Sequence, residues 1–259
     1  MERELLQQTL LTTPVSDFRA FDEIGSTNDE ALNWLEAGAE DLSLVIADSQ
    51  TKGRGRFARK WVTLPGTSLA FSIILKPTKD IENENISLYA PLCGLAVQSA
   101  LHRQLGLDAQ IKWPNDVLLN REKCCGILVE ASWTGERLNG IVAGIGINIR
   151  QGSLPPDALF PATWIEKHTG GDVNRYHLLA AVINELVEWR AKLGSPDFFS
   201  AWRKVLAFQG EPVRIEQDGQ PPILGTETGI DSNGNLLLRD STGATITIEV
   251  GDVHLRSIH

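Results

Sequence analysis

QIKWPNDVLLNREKCCGILVEASWTGERLNGIVAGIGINI, running from Gln110 to Ile149, is the stretch on which the fold turns. Short apolar runs fill it: Gln110 to Trp113, Val117 to Leu119, Cys124 to Ser132 and Leu138 to Ile149, punctuated by Asn, Gly and charge. Runs of that length between turn residues predict strands. Working outward, Ser43 to Ala47 and Leu69 to Leu75 predict two more strands, joined by a polar, glycine-bearing loop. Helical spacing brackets them. Thr27-Asn28-Asp29-Glu30 has the form of a capping box, with Ala31, Leu32, Trp34 and Leu35 as the apolar face and Gly38 as the stop. Tyr89, Cys93, Ala96, Val97, Ala100, Leu101 and Leu105 predict a helix from about Ser87, with Pro91 tolerated near its first turn. Tyr176 to Arg190 predicts another, and Pro196 opens one more toward Ala207. After Gln209, strand-length runs alternate with turns such as Asp231-Ser232-Asn233-Gly234. The sum is an α+β domain over 1–208 followed by a small all-β barrel over 209–259.

The chain has 259 residues, 42% hydrophobic and 22% charged, an ordinary globular mixture that excludes disorder, collagen-like repeats and coiled coils. Lys and Arg number 24 against 33 Asp and Glu, a net charge of −9 that disfavours a nucleic-acid coat. Apolar stretches such as Leu69 to Leu75 are far shorter than a membrane span. The start, MERELLQQTLLTTPV, lacks the basic and apolar parts of a secretion signal. Cys93, Cys124 and Cys125 have no metal-ligand spacing, and the scattered histidines form no pair, so no protein-held metal is expected. A reducing cytoplasm fits these cysteines.

The densest chemistry is Lys52-Gly53-Arg54-Gly55-Arg56-Phe57-Ala58-Arg59-Lys60-Trp61, with five cations in its first nine residues. It reads either as a solvated basic loop or as a closing clamp on an anion, because guanidinium forks match carboxylate and phosphate oxygens. It has neither Walker nor G-x-G-x-x-G spacing. In Lys112-Trp113-Pro114-Asn115-Asp116, the proline makes Trp113 extended, and Asn115 and Asp116 either cap a turn or line a pocket. Lys123, opening an apolar strand, either snorkels to solvent or points into a pocket. Gly144-Ile145-Gly146-Ile147-Asn148 clears side chains from one strand face, for a neighbouring backbone or a flat ring, or is simply a buried strand with a turn-forming Asn.

Together these segments resemble the biotin protein ligases. The resemblance is carried by Ser26-Thr27-Asn28, Gln50, the GRGRFARKW loop, KWPND, Lys123 with GILVE, GIGIN, and GIDSNGNLLL with GDVHLRSI, and it spans Phe18 to Ile258. It implies a class II aminoacyl-tRNA-synthetase-like catalytic domain (a mixed sheet with flanking helices) and an SH3-like C-terminal barrel. It also implies a two-step reaction: biotin and ATP, with Mg2+, give biotinyl-5′-AMP, and the biotinyl group then passes to a lysine of a biotin carboxyl carrier protein. Ser26, Thr27, Asn28 and Gln50 would hold the ureido end of biotin. Gly53, Arg54, Gly55 and Arg56 would form the closing loop, with Trp61 and Trp113 as walls. Lys123, Arg56 and Lys112 would be catalytic, and Asn115, Asp116 and Asn148 would serve the nucleotide side along with Arg54, Arg56 and Lys123.

About seventeen residues precede the resemblance, too few for the DNA-binding domain of some family members, so no nucleic acid is expected as a partner. An exposed sheet edge would allow a homodimer. Cys124-Cys125 would make the enzyme sensitive to thiol reagents. The nearest alternative is a lipoate or octanoate ligase of the same fold, for which the polar set at Ser26 to Asn28 and Gln50 is unnecessary. A nucleic-acid-binding module is more remote. After Gln209, Arg214, Arg239 and Arg256 face Glu211, Glu216, Asp218, Glu227, Asp231, Asp240, Glu249 and Asp252.

Overall fold

Alternating apolar residues build two sheets, and a computed structural model describes residues 1–57, 59–61, 63–77, 83–154, 161–217 and 219–255. The chain runs α1 (Arg3–Leu10), β1 (Phe18–Ile24), α2 (Thr27–Glu36), β2 (Leu44–Gln50), β3 (Ser68–Leu75) and α3 (Tyr89–Leu105). It continues through β4 (Gln110–Lys112), β5 (Asp116–Leu119), β6 (Glu122–Thr134), β7 (Arg137–Asn148), α4 (Glu166–Thr169), α5 (Arg175–Arg190) and α6 (Pro196–Lys204). It ends in β8 (Pro212–Glu216), β9 (Ile223–Ile230), β10 (Leu236–Arg239), β11 (Thr245–Ile248) and β12 (Asp252–Leu255).

The large sheet has the order β1-β2-β3-β7-β6-β5-β4. Its β1–β2 pair is parallel and its other pairs antiparallel, so the mixed sheet with flanking helices holds. Period-two alternation divides its faces. Leu44, Ile46, Ile73 and Leu75 join one cluster with the apolar residues of α1, α3 and α5, while Val45, Ile74 and Val142 meet Ala31, Trp34 and Leu35 of α2.

The C-terminal barrel is corrected. The second sheet has the order β11-β10-β9-β8-β12, with β11 and β12 at opposite ends and, among the described residues, no closing ladder. Alternation asks only that one face be buried, and an open sheet can meet that demand by packing on something larger. Val213, Ile215, Leu236, Leu238 and Val253 lie in the same contiguous cluster as the main core. Trp113 Nε1 donates to Gly234 O at 3.0 Å, and Arg121 pairs through both guanidinium nitrogens with Glu211 at 2.9 and 2.7 Å.

Other local readings shift. The N-cap of α2 is Ser26, whose Oγ accepts from Asp29 N, and Glu30 pairs with Arg19 instead of reaching back. Strand β1 adds to the strands that the apolar runs predict; its Ala20 and Phe21 are apolar neighbours, so Phe18–Ile24 lacks a clean alternation. Cys93, Cys124 and Cys125 are fully buried, and burial pushes the Cys93 and Cys124 thiols up to about 12, away from the thiolate form that thiol reagents attack. Arg256 and Asp218 lie outside the described residues. Among the described residues no helix is long and apolar enough to cross a membrane.

Glu227 on β9 is 1% exposed, and its Oε1 has no hydrogen-bond partner. Burial, reinforced by Glu211, pushes its carboxyl from 4.5 up to about 8. The unfolded chain releases this proton first, so stability falls as pH climbs from the unfolded value to the folded one. Glu227→Gln should raise Tm by several degrees at about pH 8 and leave it unchanged at about pH 4. Equal melting-curve shifts at both would contradict this assignment.

Candidate active site

Register puts small residues in rows on the α2 side of the large sheet. Ser72 lies opposite Gly144, which lies opposite Leu128; one step along, Ala70, Gly146 and Gly126 align, and Asp116 follows beside Gly126. Above this floor opens a cleft of about 740 Å³.

Its glycines have specific occupants. A Cβ on Gly144 would overlap the Asn28 amide, and one on Gly146 would overlap the Trp61 indole. The alternation in GIGIN thus admits both a polar side chain and a flat ring. Gly53 is required for the loop itself: a Cβ there would strike Trp61 O, and Trp61 N donates to Gly53 O at 3.0 Å.

At the head of the cleft, Thr27 N and Thr27 Oγ1 both donate to Gln50 Oε1, at 2.8 and 3.1 Å. Ser72 Oγ lies 2.6 Å from Asn28 Oδ1 and 2.8 Å from Thr27 Oγ1. The Gln50 carbonyl is thereby engaged, which orients the amide with its NH2 as the remaining polar group. Thr27, read as a cap, is instead part of this network.

At the far end the charges are ordered. Asp116 accepts from Lys123 Nζ at 2.6 Å and pairs with Lys112 Nζ at 3.1 Å. Burial alone would raise the Asp116 carboxyl, but the two lysines outweigh it and hold it below the usual carboxylate range. Lys123 does not snorkel away: it lines the cleft, with Nζ 5.8 Å from the Trp61 ring centre. Its backbone is pinned on both sides, N–H to Pro161 O and C=O from Thr163 N, each at 2.9 Å.

The basic loop folds over this end. Arg56 donates to Asn115 Oδ1 at 3.2 Å and pairs with Asp252 of β12 at 3.4 Å, while Arg59 meets the other Asp252 oxygen at 2.6 Å. Burial lowers the Arg56 guanidinium from its ordinary value, partly offset by Asp252 and Asp116. Asn115 also donates to Ile127 O at 2.7 Å, and Asn148 to Thr163 O at 3.1 Å.

The cleft therefore gathers Ser26, Thr27, Asn28 and Gln50 at one end and Lys112, Asn115, Asp116 and Lys123 toward the other. Arg54, Gly55, Arg56 and Trp61 come from the loop, and Asn148 from the end of β7. Gly53 and Trp113 do not line it. Trp113 is turned toward Gly234 of the second sheet, so it is no wall of this cleft. Sequence reasoning assigned no role to Ser72, Glu130 or Asp252. Glu130 was visible within GILVE, but its partners come from α2 and the loop, 102 and 76 residues away along the chain.

A hydrogen-bonding head, an apolar floor and a cationic end suit a small acid at one end and a phosphate-bearing group at the other. The sequence profile of the biotin/lipoate A/B protein ligase family matches residues 20–148, and that of the biotin protein ligase C-terminal domain matches 208–256. A biotin–[acetyl-CoA-carboxylase] ligase of Paracoccus denitrificans is 34% identical over 85% of this chain and 93% of its own. A second, of Mycobacterium tuberculosis, is 30% identical over 98% and 96%. The structure of biotin protein ligase from Aquifex aeolicus in complex with biotin and ATP superposes with a TM-score of 0.80 at 30% identity, covering 93% of this chain and 99% of that one. The chain belongs to the biotin protein ligase family.

Gly146→Ala should expel the Trp61 indole from the floor. Acrylamide quenching of tryptophan emission should rise and ligase activity should fall, with the fold retained. Unchanged quenching would contradict the packing.

Proposed function

We propose that the cleft binds biotin and ATP, joins them as biotinyl-5′-AMP, and passes the biotinyl group to a lysine of a biotin carboxyl carrier protein. The observation that carries this reading is the Asp116–Lys112–Lys123 cluster standing at the end of an apolar floor whose other end is a polar network. The enzyme is an ATP-dependent biotin ligase.

In the first step a biotin carboxylate oxygen attacks the α-phosphorus, and the bond to the β-phosphate bridging oxygen breaks, releasing pyrophosphate. Two anions must approach one another. Lys123, aided by Lys112 and Arg56, offsets that repulsion and stabilises the charge developing in transit. Fixing both substrates in one cleft adds a proximity gain. In the second step a neutral lysine amine of the carrier attacks the acyl carbon, the bond to AMP breaks, and the amine loses a proton. The loop from Gly53 to Trp61, with Arg54 and Gly55, shields the mixed anhydride from water. Ser26, Thr27, Asn28 and Gln50 hold the ureido head, and Asn115, Asp116 and Asn148 serve the nucleotide.

Mg2+ comes with the nucleotide in this reading. Asp116 and Asp252 are each engaged by two cationic side chains, so neither offers a free carboxylate for a protein-held ion. Residues 1–208 form the catalytic unit and 209–259 a C-terminal one, whose Asp252 steadies the loop through Arg56 and Arg59. The network at Thr27, Asn28, Gln50 and Ser72 favours a ureido head over a lipoyl or octanoyl chain, which has no N–H to recognise.

Exchange of labelled pyrophosphate into ATP tests this, with biotin, lipoate and octanoate run in parallel. Biotin alone should support exchange, and Lys123→Ala should reduce it by on the order of a hundredfold or more. Exchange with lipoate or octanoate instead of biotin would overturn the substrate, and near-normal exchange in the variant would overturn the role of Lys123.

A further inference from the structure

Asn28 stands at the head of the cleft with both of its amide hydrogens engaged: Nδ2 donates to Leu128 O at 3.2 Å and to Glu130 Oε2 at 2.7 Å. Its Oδ1 lies 2.6 Å from Ser72 Oγ, which can donate, and a carbonyl oxygen has a second lone pair. Asn28 can therefore meet a ligand only as an acceptor. Glu130 enforces that sense, because a turned amide would aim its oxygen at a carboxylate.

The same carboxylate holds the loop. Glu130 Oε1 and Oε2 accept from the two terminal nitrogens of Arg54, both at 2.9 Å, a forked pair. Asp29 of α2 also accepts from Arg54, at 2.5 Å. Arg54 is at the root of the loop, where it bridges to Lys60, and the segment between them carries Arg56 and Arg59. Glu130 itself does not line the cleft.

We propose that Glu130 is a positioning residue that fixes Asn28 as a hydrogen-bond acceptor for an N–H of the substrate head and, through Arg54, couples occupancy of that head to the closed position of the loop. The proposal rests on the biotin reading and adds to it the residue that sets which analogues are accepted. Removing Glu130 frees the Asn28 amide to turn and leaves Arg54 at the root of the loop held by Asp29 alone, so both recognition of the N–H and retention of biotin weaken together.

The test uses the full chain with Glu130→Ala, Glu130→Gln, Arg54→Ala and the Glu130→Ala/Arg54→Ala double variant. Biotin binding and dissociation, KM for biotin and for ATP, and binding of biotin singly methylated at each ureido nitrogen are measured. Glu130→Ala should raise KM for biotin and speed its dissociation by about tenfold, with KM for ATP moving less than about twofold. The wild type's preference for biotin over one of the methylated analogues should shrink by a similar factor. Glu130→Gln, which keeps an acceptor for Asn28 and loses the fork, should recover the preference but not the slow dissociation. Adding Arg54→Ala to Glu130→Ala should cost little more, because the two act as one unit.

A purely structural role would lower Tm and weaken biotin and its analogues alike. Folded Glu130→Ala that keeps the full analogue preference, or additive Glu130 and Arg54 effects, would overturn the inference while leaving the biotin reading intact. A wild-type protein that binds no biotin would overturn both.

Discussion

A buried carboxylate held between two ammonium groups organises this molecule. Asp116 begins β5, Lys112 ends β4 and Lys123 is the second residue of β6, so a tight succession of strands brings all three to one end of the floor. A buried charge must be paired, and here each partner stabilises the other. The result is a surplus positive charge at a fixed place, built on strands. Arg56 adds to it from above, tied to Asn115 one residue before Asp116.

That charge is useful only because of what lies beside it. The cross-strand row Ala70, Gly146 and Gly126 keeps the floor low, and Trp61 lies against it. A flat, apolar surface between a hydrogen-bonding head and a cationic end matches a bicyclic acid whose carboxylate must reach a phosphate. The open C-terminal sheet completes the enclosure through Asp252, whose two oxygens take Arg56 and Arg59. One acidic residue from a distant segment thus neutralises part of the loop and holds it over the site.

Much of this was legible in the sequence because it is local. Strand runs, the turn at Pro114, the density of cations in 52–60 and the glycine alternation in GIGIN each depend on neighbours along the chain. What escaped depends on register and on distant segments. Whether Gly146 faces a ring or a backbone is decided by where Trp61 lands. Trp113 sits within KWPND, yet its indole serves the second sheet, because Gly234 presents a carbonyl there. Ser26 rather than Thr27 caps α2 because Ser26 is the last extended residue and Thr27 is already the first of the helix, which leaves the Thr27 hydroxyl to donate to Gln50. The barrel failed for a related reason: alternation specifies one buried face, and the main core supplies its cover.

Single-turnover formation of biotinyl-5′-AMP by Asp116→Asn reads whether this carboxylate sets the charge that meets the phosphate. Biotin affinity serves as the check that the head of the cleft is intact. Asp116→Asn should retain biotin binding and slow adenylation by on the order of a hundredfold, since one amide oxygen cannot hold two lysines in register as a carboxylate does. Adenylation near the wild-type rate, with biotin bound normally, would contradict it.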